Sequence, residues 1–293
     1  MLILYSRYLR YHNSKSHIEN NKRVKIIEKV IRKNYEKIGK VRKDIFRYIH
    51  LAHTWKYIRE IKRVWKYSYK NNKILYIDED TYISPLSFFS ILKSIEGVLE
   101  SIERNEKYIF IPTRPPGHHS GKNGIVNFTR GFCIFNNVAV GAIYARKKYK
   151  NVLILDIDIH HGNGTQEIIE NKRNIYYIST HAKNIYPFSG LESGNNYFNF
   201  PLNPGISDNE YINLFKEKII PLIENINPEI IFVSLGFDMH KEDPLSVFNI
   251  TLKSYEFVFD YLKKHNKVIF VLEGGYNIKV IFNGIKILLK NYG

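Results

Sequence analysis

Short runs of apolar, largely β-branched residues alternate with helix-sized segments along this 293-residue chain, and no other feature limits its fold as strongly. Gly, Pro, Asn or Asp flanks each run, as is typical of strands. A strand that is apolar on both faces is buried on both faces, which indicates a parallel sheet covered by helices on each side. The predicted strands are Lys107–Ile111, Val152–Ile157, Ile175–Ser179, Ile230–Leu235 and Lys267–Leu272.

The intervening segments carry apolar residues at helical spacing. Between Ile18 and Ile38 the apolar side chains recur every three or four residues, which predicts an amphipathic helix with its Lys and Arg side chains outside. No repeat or flexible linker interrupts the pattern, so we expect one α/β domain over residues 1–293. The other predicted helices are Ser87–Arg104, Asn136–Lys148, Asp208–Glu224, Leu252–His265 and Asn277–Lys290.

Composition narrows the class of protein. The apolar runs are far shorter than the roughly 20 residues that cross a bilayer, and the amino terminus lacks a secretory signal, so a cytoplasmic protein without a membrane partner is expected. Cys133 is the only cysteine, which excludes an internal disulfide and a multi-cysteine zinc site. A metal site in this chain must therefore use His, Asp and Glu.

The positive charge is concentrated at one end. Residues 1–73 hold 21 Lys and Arg against 5 Asp and Glu, a difference equal to the net charge of +16 of the whole chain. Such a segment can bind nucleic acid or another anionic surface. Because its lysines are interleaved with Ile and Tyr at helical spacing, solvated helix faces explain the charge equally well. Both interpretations stay open.

Two carboxylates and an imidazole follow the strand at Val152–Ile157. Asp156, Asp158 and His160 alternate along the chain, so an extended backbone would point all three to one face. Burying such groups is costly unless a cation or hydrogen bonds compensate them. The spacing therefore predicts a metal site, although it does not show which of the three side chains are ligands.

Further polar groups follow other predicted strands. The segment Arg114–His119 presents adjacent imidazoles, His118 and His119, on a loop stiffened by two prolines, and such a pair can act as general base and general acid. Asp238 and Tyr276 follow two more strands, and Tyr276 can donate a hydrogen bond to a developing oxyanion. Ligand sites of parallel sheets lie beyond the carboxyl ends of strands, so these groups should converge.

Five blocks, RPPGHH, GFCIFNNVAV, DIDIHHGNGTQE, LGFD and LEGGYN, resemble in this order the histone deacetylase superfamily of zinc-dependent amidohydrolases. The class II and bacterial acetylpolyamine amidohydrolase branch is the most similar. The resemblance implies the arginase/deacetylase fold, a single domain with a central eight-stranded parallel sheet. It also implies hydrolysis of an N-acetyl amide.

The resemblance assigns roles to individual residues. It implies Asp158, His160 and Asp238 as metal ligands and His118 with His119 as the proton-transfer pair. Asp156 and Asn163 would support the two histidines, and Tyr276 would polarise the scissile carbonyl. The remaining implied assignments are the substrate-binding residues Asp80, Phe132, Tyr186, Gly117 and Gly274, and a structural K⁺ or Na⁺ at Asp156, Asp158, His160 and Ser179.

Departures from the family pattern keep alternatives open. Asn163 stands where some members carry Asp, and a neutral amide should raise the basicity of His119 less than a carboxylate would. Two oxygen ligands and one nitrogen ligand admit Fe(II) as well as Zn²⁺. We expect an acetyl-lysine deacetylase. There are two alternatives. One is an acetylpolyamine amidohydrolase that acts on small acetylated amines, and the other is a deacetylase-like scaffold that binds anionic partners.

Overall fold

A computed structural model describes residues 1–32 and 34–293. All five predicted strands are present, and their side chains are almost entirely buried because helices cover both faces of the sheet. Five further short strands were not predicted from the pattern. In chain order the strands are β1 (Leu2–Tyr5), β2 (Glu36–Lys37), β3 (Leu75–Tyr76), β4 (Tyr82–Ile83), β5 (Tyr108–Ile111), β6 (Val152–Asp156), β7 (Ile175–Ala182), β8 (Tyr197–Leu202), β9 (Ile230–Leu235) and β10 (Val268–Leu272).

Eight of these strands form one parallel sheet in the order β2-β1-β5-β10-β9-β6-β7-β8. β3 and β4 form a separate antiparallel pair. The expected fold, a single α/β domain with an eight-stranded parallel sheet, is confirmed. β1 and β2 place the basic first quarter of the chain within this sheet, so it is an integral part of the domain.

Helices connect the strands: α1 (Lys22–Ile31), α2 (Ile45–Ile49), α3 (Trp55–Asn71), α4 (Ser87–Glu103), α5 (Asn137–Ala145), α6 (Asn163–Ile169), α7 (Asp208–Leu214), α8 (Ile220–Ile226), α9 (Leu252–Leu262) and α10 (Ile278–Tyr292). A π-helical turn, Phe215–Ile219, joins α7 to α8 just before Pro221, which has no backbone N–H to donate. Asn136 and Asn277 begin α5 and α10 by accepting hydrogen bonds from backbone N–H groups.

The predicted helix from Ile18 to Ile38 was wrong in its bounds. α1 covers only Lys22–Ile31, because Arg32 adopts a left-handed backbone with φ of 49°. Ile38 instead lies beside the sheet, where its N–H donates to the carbonyl of Tyr5 at 3.0 Å. Lys33, which the prediction also covered, lies outside the described residues. The expectation that every Arg of this helix faces outward was also wrong, since Arg23 is buried.

The order of the central strands sets the position of the candidate site. β5, β10, β9 and β6 are consecutive neighbours in the sheet, so their carboxyl ends lie side by side at one edge. The four polar segments singled out in the sequence follow these four strands. Within the described part of the chain, no helix is both long and apolar enough to cross a membrane.

Candidate active site

The candidate metal centre consists of Asp158, His160 and Asp238. Each offers one ligand atom, and the three atoms lie within 4.8 Å of one another. The two carboxylates are completely buried, and Nδ1 of His160 lies 3.0 Å from Oδ1 of Asp158 and 3.5 Å from Oδ2 of Asp238. The loop after β6 therefore meets the loop after β9, as the sheet order requires.

The donor atoms of this centre fit a divalent cation. Oδ1 of Asp238 accepts a hydrogen bond from the N–H of Ile159 at 3.0 Å, whereas its buried Oδ2 has no hydrogen-bond donor among the described residues. A buried carboxylate oxygen without a donor is costly unless a cation compensates it. Two carboxylate oxygens and one imidazole nitrogen form a ligand set that suits zinc and also iron.

Gly274 closes the metal centre from the β10 side. Its N–H donates to Oδ2 of Asp158 at 2.8 Å. A Cβ atom at this position would collide with the carboxylates of both Asp238 and Asp158, so only glycine lets the backbone approach so closely. The predicted substrate-binding residue Gly274 thus lies in the cavity wall and directly contacts the candidate metal centre.

The paired imidazoles of His118 and His119 are buried beside this centre, with ring centroids 4.1 Å apart. Nδ1 of His118 lies 3.1 Å from Oδ2 of Asp156, and Nδ1 of His119 lies 2.9 Å from Oδ1 of Asn163. Each histidine therefore has the partner that the resemblance implied. These contacts occupy Nδ1 of each ring, and Nε2 of His118 lies 3.7 Å from Oδ1 of Asp158.

The partners give the two histidines opposite protonation behaviour. Burial alone would lower the pKa of His118, but the charges of Asp158 and Asp156 outweigh it and raise the pKa to about 10. Burial and the positive charges of His118 and His160 hold the pKa of His119 well below its usual value. In the metal-free protein, one imidazole of the pair is therefore charged and the other is neutral.

Glu273 holds the histidine loop in place, a role that the sequence did not indicate. Its Oε2 accepts hydrogen bonds from the N–H groups of Gly117 and His118, at 2.6 and 3.2 Å. Gly117, predicted to bind substrate, does not line the cavity. It packs against the start of α5, where a Cβ atom would come within 2.7 Å of the carbonyl oxygen of Phe135.

A cavity of about 310 Å³ opens above the metal centre and the histidine pair. The ring of Tyr186 lies edge-on to His119 at 4.9 Å, and the ring of Phe132 lies edge-on to Tyr276 at 5.8 Å. Among the described residues of the basic segment, 1–32 and 34–73, none lines the cavity, so their charges do not form its wall. The lining residues are Asp80, Pro116, His118, His119, Gly131, Phe132, Asp158, His160, Tyr186, Leu245, Gly274 and Tyr276.

Tyr276 is fixed by contacts on both sides. Its N–H donates to Oδ2 of Asp243 at 2.6 Å, and the guanidinium of Arg23 lies 4.9 Å from its ring centroid. Nε of Arg23 also donates to the carbonyl of Gly275 at 2.6 Å, and Glu19 accepts from Arg23. Burial holds the pKa of the Tyr276 hydroxyl well above its ordinary value, so the hydroxyl stays a hydrogen-bond donor.

The predicted monovalent-cation residues lie at the ends of β6 and β7. Asp156 is paired with Ser179 in the register of these strands, and both are completely buried. Asp156 also accepts a hydrogen bond from the hydroxyl of Tyr177 at 3.0 Å, and Oγ of Ser179 lies 2.9 Å from Nδ1 of His181. The monovalent-cation site stays a prediction.

The fold and the site define a parallel α/β protein with a candidate metal centre, a histidine pair and a tyrosine at one edge of the sheet. Residues 17–291 match the histone deacetylase domain model. The chain belongs to the histone deacetylase family, whose members support its assignment as a hydrolase acting on acetyl amides.

Individual relatives are similar over nearly the whole chain. An uncharacterized protein of Methanocaldococcus jannaschii is 33% identical, with 94% of this chain and 83% of the relative covered. Histone deacetylase 6 of Caenorhabditis elegans is 32% identical over 88% of this chain, which spans 29% of that longer protein. The crystal structure of the HDA15 HD domain superposes with a TM-score of 0.90 at 27% identity, covering 99% of this chain and 90% of that one.

Proposed function

We propose that this protein removes acetyl groups from lysine side chains of proteins, with a divalent cation, Zn²⁺ or Fe²⁺, held by Asp158, His160 and Asp238. The observation that carries the proposal is that Asp158, His160, the histidine pair and Tyr276 line one cavity, and that Asp238 is grouped with the first two. When bound, the cation would polarise the scissile carbonyl and acidify a coordinated water. The other steps depend on side chains of the protein.

Proton transfer is assigned to the histidines. His119 faces the neutral amide of Asn163 and is suited to accept a proton from the attacking water at Nε2. The carboxylate of Asp156 stabilises the imidazolium form of His118, which is suited to protonate the departing amine. The hydroxyl of Tyr276 is suited to donate a hydrogen bond to the carbonyl oxygen as negative charge develops there.

The cavity walls favour a long aliphatic side chain. Phe132 and Tyr186 offer aromatic surface against which the methylene groups of an acetylated lysine can pack. Asp80 places a carboxylate among the lining residues, where it can accept a hydrogen bond from the N–H groups of the substrate. A small acetylated amine such as an acetylated polyamine presents a similar chain, so it is the alternative substrate.

The proposal is tested with Tyr276→Phe. On metal-replete enzyme and an acetyl-lysine peptide, loss of the hydroxyl should lower kcat by about 100-fold with the metal content unchanged. Tyr261→Phe is the matched control, because Tyr261 lies on α9 and its hydroxyl has no hydrogen-bond partner in the described part of the chain. Unchanged turnover in Tyr276→Phe would refute the assigned role. A higher kcat/KM for acetylspermidine than for the peptide would favour the polyamine alternative.

We also propose that α3 binds an anionic partner such as nucleic acid. Its exposed side chains Lys56, Arg59, Arg63, Lys66 and Lys70 recur every three or four residues, which places them along one helix face. Within residues 1–32 and 34–293, none of the five forms an ion pair. Affinity for nucleic acid should fall steeply with salt. Absence of salt-dependent binding near physiological ionic strength would reject this partner.

A further inference from the structure

Two phenylalanines, Phe128 and Phe188, expose most of their side chains to solvent. Phe128 is 65% exposed and Phe188 is 64% exposed, and neither belongs to the hydrophobic core. Their rings contact each other edge to face, with centroids 5.7 Å apart and an interplanar angle of 82°. We call Phe128 and Phe188 the rim pair. Two adjacent aromatic rings that the fold does not bury form an apolar surface for a ligand.

The rim pair continues the wall of the cavity outward. Phe188 follows Tyr186 by two residues, and Phe128 directly precedes Thr129. The hydroxyl of Tyr186, a lining residue, donates to the carbonyl of Thr129 at 3.1 Å. The side chain of Asn127 donates to the carbonyl of Pro187 at 3.1 Å. These bonds join the two loops, so the rim pair lies immediately beside the candidate active site.

The rim pair is also close to Asp80, the carboxylate among the lining residues. The hydroxyl of Thr129 donates to Oδ2 of Asp80, and the same hydroxyl lies near the Tyr186 hydroxyl. A group bound to the rim pair would therefore lie next to a group that hydrogen-bonds to Asp80. In a peptide, such neighbouring groups are a side chain and the backbone of the acetylated residue beside it.

The local backbone keeps the ring of Phe188 at the surface. Phe188 has φ of 56°, a left-handed conformation that a bulky side chain rarely adopts, and its N–H donates to the carbonyl of Ile185 at 2.7 Å. Asn or Gly would fit this backbone with less strain. A large aromatic residue at a strained, exposed position next to a cavity is consistent with a role in binding.

We propose that the rim pair binds a large apolar side chain adjacent to the acetylated lysine in a protein substrate. The inference rests on the proposed function and names its substrate class: acetyl-lysines flanked by residues such as Leu or Phe. The pair carries no charge, and burying an apolar side chain against it removes apolar surface of both partners from water. An acetylated polyamine gains less, because its methylene groups lie between ammonium groups that would lose hydration.

The test compares two acetyl-lysine peptides that differ only in the flanking residues, Leu in one and Ser in the other. For the metal-replete wild-type enzyme, kcat/KM for the Leu peptide should exceed that for the Ser peptide by about tenfold, as expected for partial burial of an apolar side chain. In the double variant Phe128→Ser/Phe188→Asn, this ratio should fall to about one. Asn is chosen at 188 because it tolerates the left-handed backbone.

Tyr67→Ala is the matched control, because Tyr67 is 59% exposed on α3 and is not a lining residue of the cavity. It should keep the tenfold ratio. A wild-type ratio near one, or a ratio that the double variant retains, would overturn the inference. If the double variant changes the self-association of the protein but not the ratio of kcat/KM for the two peptides, the rim pair forms contacts between copies of the chain. That result would also overturn the inference. Hydrolysis of neither peptide would refute the proposed function and this inference with it.

Discussion

Asp238→Asn should stabilise the metal-free protein and remove most of the stabilisation that Zn²⁺ gives to the wild-type protein. In the metal-free state the buried carboxylates of Asp238 and Asp158 lie near each other. Two unit charges no more than 4.8 Å apart repel by at least about 3 kcal/mol at an effective dielectric constant of about 20. Burial, followed by the charge of Asp158, raises the pKa of Asp238 to about 7 even though the neighbouring His160 lowers it, so the net effect has the same sign.

The amide of Asn can occupy the same space. Its oxygen can keep the hydrogen bond that Oδ1 of Asp238 accepts from Ile159, and its NH₂ group replaces the oxygen that has no donor. The metal-free variant should therefore be more stable at pH 8 by about 3 kcal/mol, or roughly 6 °C in Tm. Because a raised carboxyl pKa destabilises the folded state only above the unfolded value of about 4, the gain should vanish below pH 4.

The stabilisation by metal should be lost in the variant. Zn²⁺ at 100 times its Kd should stabilise the wild-type protein by about 2.7 kcal/mol, and loss of a charged ligand should remove most of this gain. Thermal unfolding in chelator and in Zn²⁺ measures both effects. Asp260→Asn, on a side chain that is 71% exposed, is the matched control and should change neither. The reasoning is refuted if the metal-free variant is destabilised at pH 8, or if it keeps the Zn²⁺-induced rise in Tm.

Two further predictions concern glycine packing and a buried histidine. Gly274→Ala should lower Zn²⁺ affinity by at least about tenfold, because its Cβ would collide with the Asp158 and Asp238 carboxylates; unchanged affinity in equilibrium dialysis would contradict this. Burial lowers the pKa of His53 to about 3, so the wild-type protein should lose up to about 1.4 kcal/mol of stability per pH unit below 6.5. In thermal unfolding between pH 4 and 8, His53→Gln should show a smaller loss of stability per pH unit than the wild-type protein. An equal loss in both proteins would contradict this prediction.

The central strands could be predicted from the sequence because burial on both faces leaves a continuous apolar run. β6, β9 and β10 were placed to within one residue for this reason. β8 could not be recognised, because it lies at the edge of the sheet, is half-exposed at several positions and contains Asn199 and Pro201. β1 has only four residues, and its membership of the sheet depends on pairing with β5, more than 100 residues away.

The residues of the candidate site likewise fall into those that could be predicted from the sequence and those that could not. His118, Asp158 and Asp238 could be singled out because each lies in a loop that follows a recognisable strand, whereas their separate roles came from the family resemblance. The supporting residues Glu273 and Arg23 could not be assigned by spacing, since their partners are distant in sequence: Glu273 contacts Gly117, and Arg23 contacts Gly275. Arg23 was moreover expected at the surface, because amphipathic spacing alone does not identify an Arg buried by an ion pair with Glu19.

The sheet order explains why such distant support is needed. The four strands that supply the site are adjacent in the middle of the sheet, so polar loops from four parts of the chain are buried together. Each buried carboxylate must then be compensated by a neighbour from another loop: Asp156 by His118, and Asp158 by the Gly274 N–H. Because the same contacts hold the fold and set the protonation of the site, a substitution here should change stability and chemistry together. Asp238→Asn, which removes a charge and keeps the shape, should accordingly change both stability and Zn²⁺ binding.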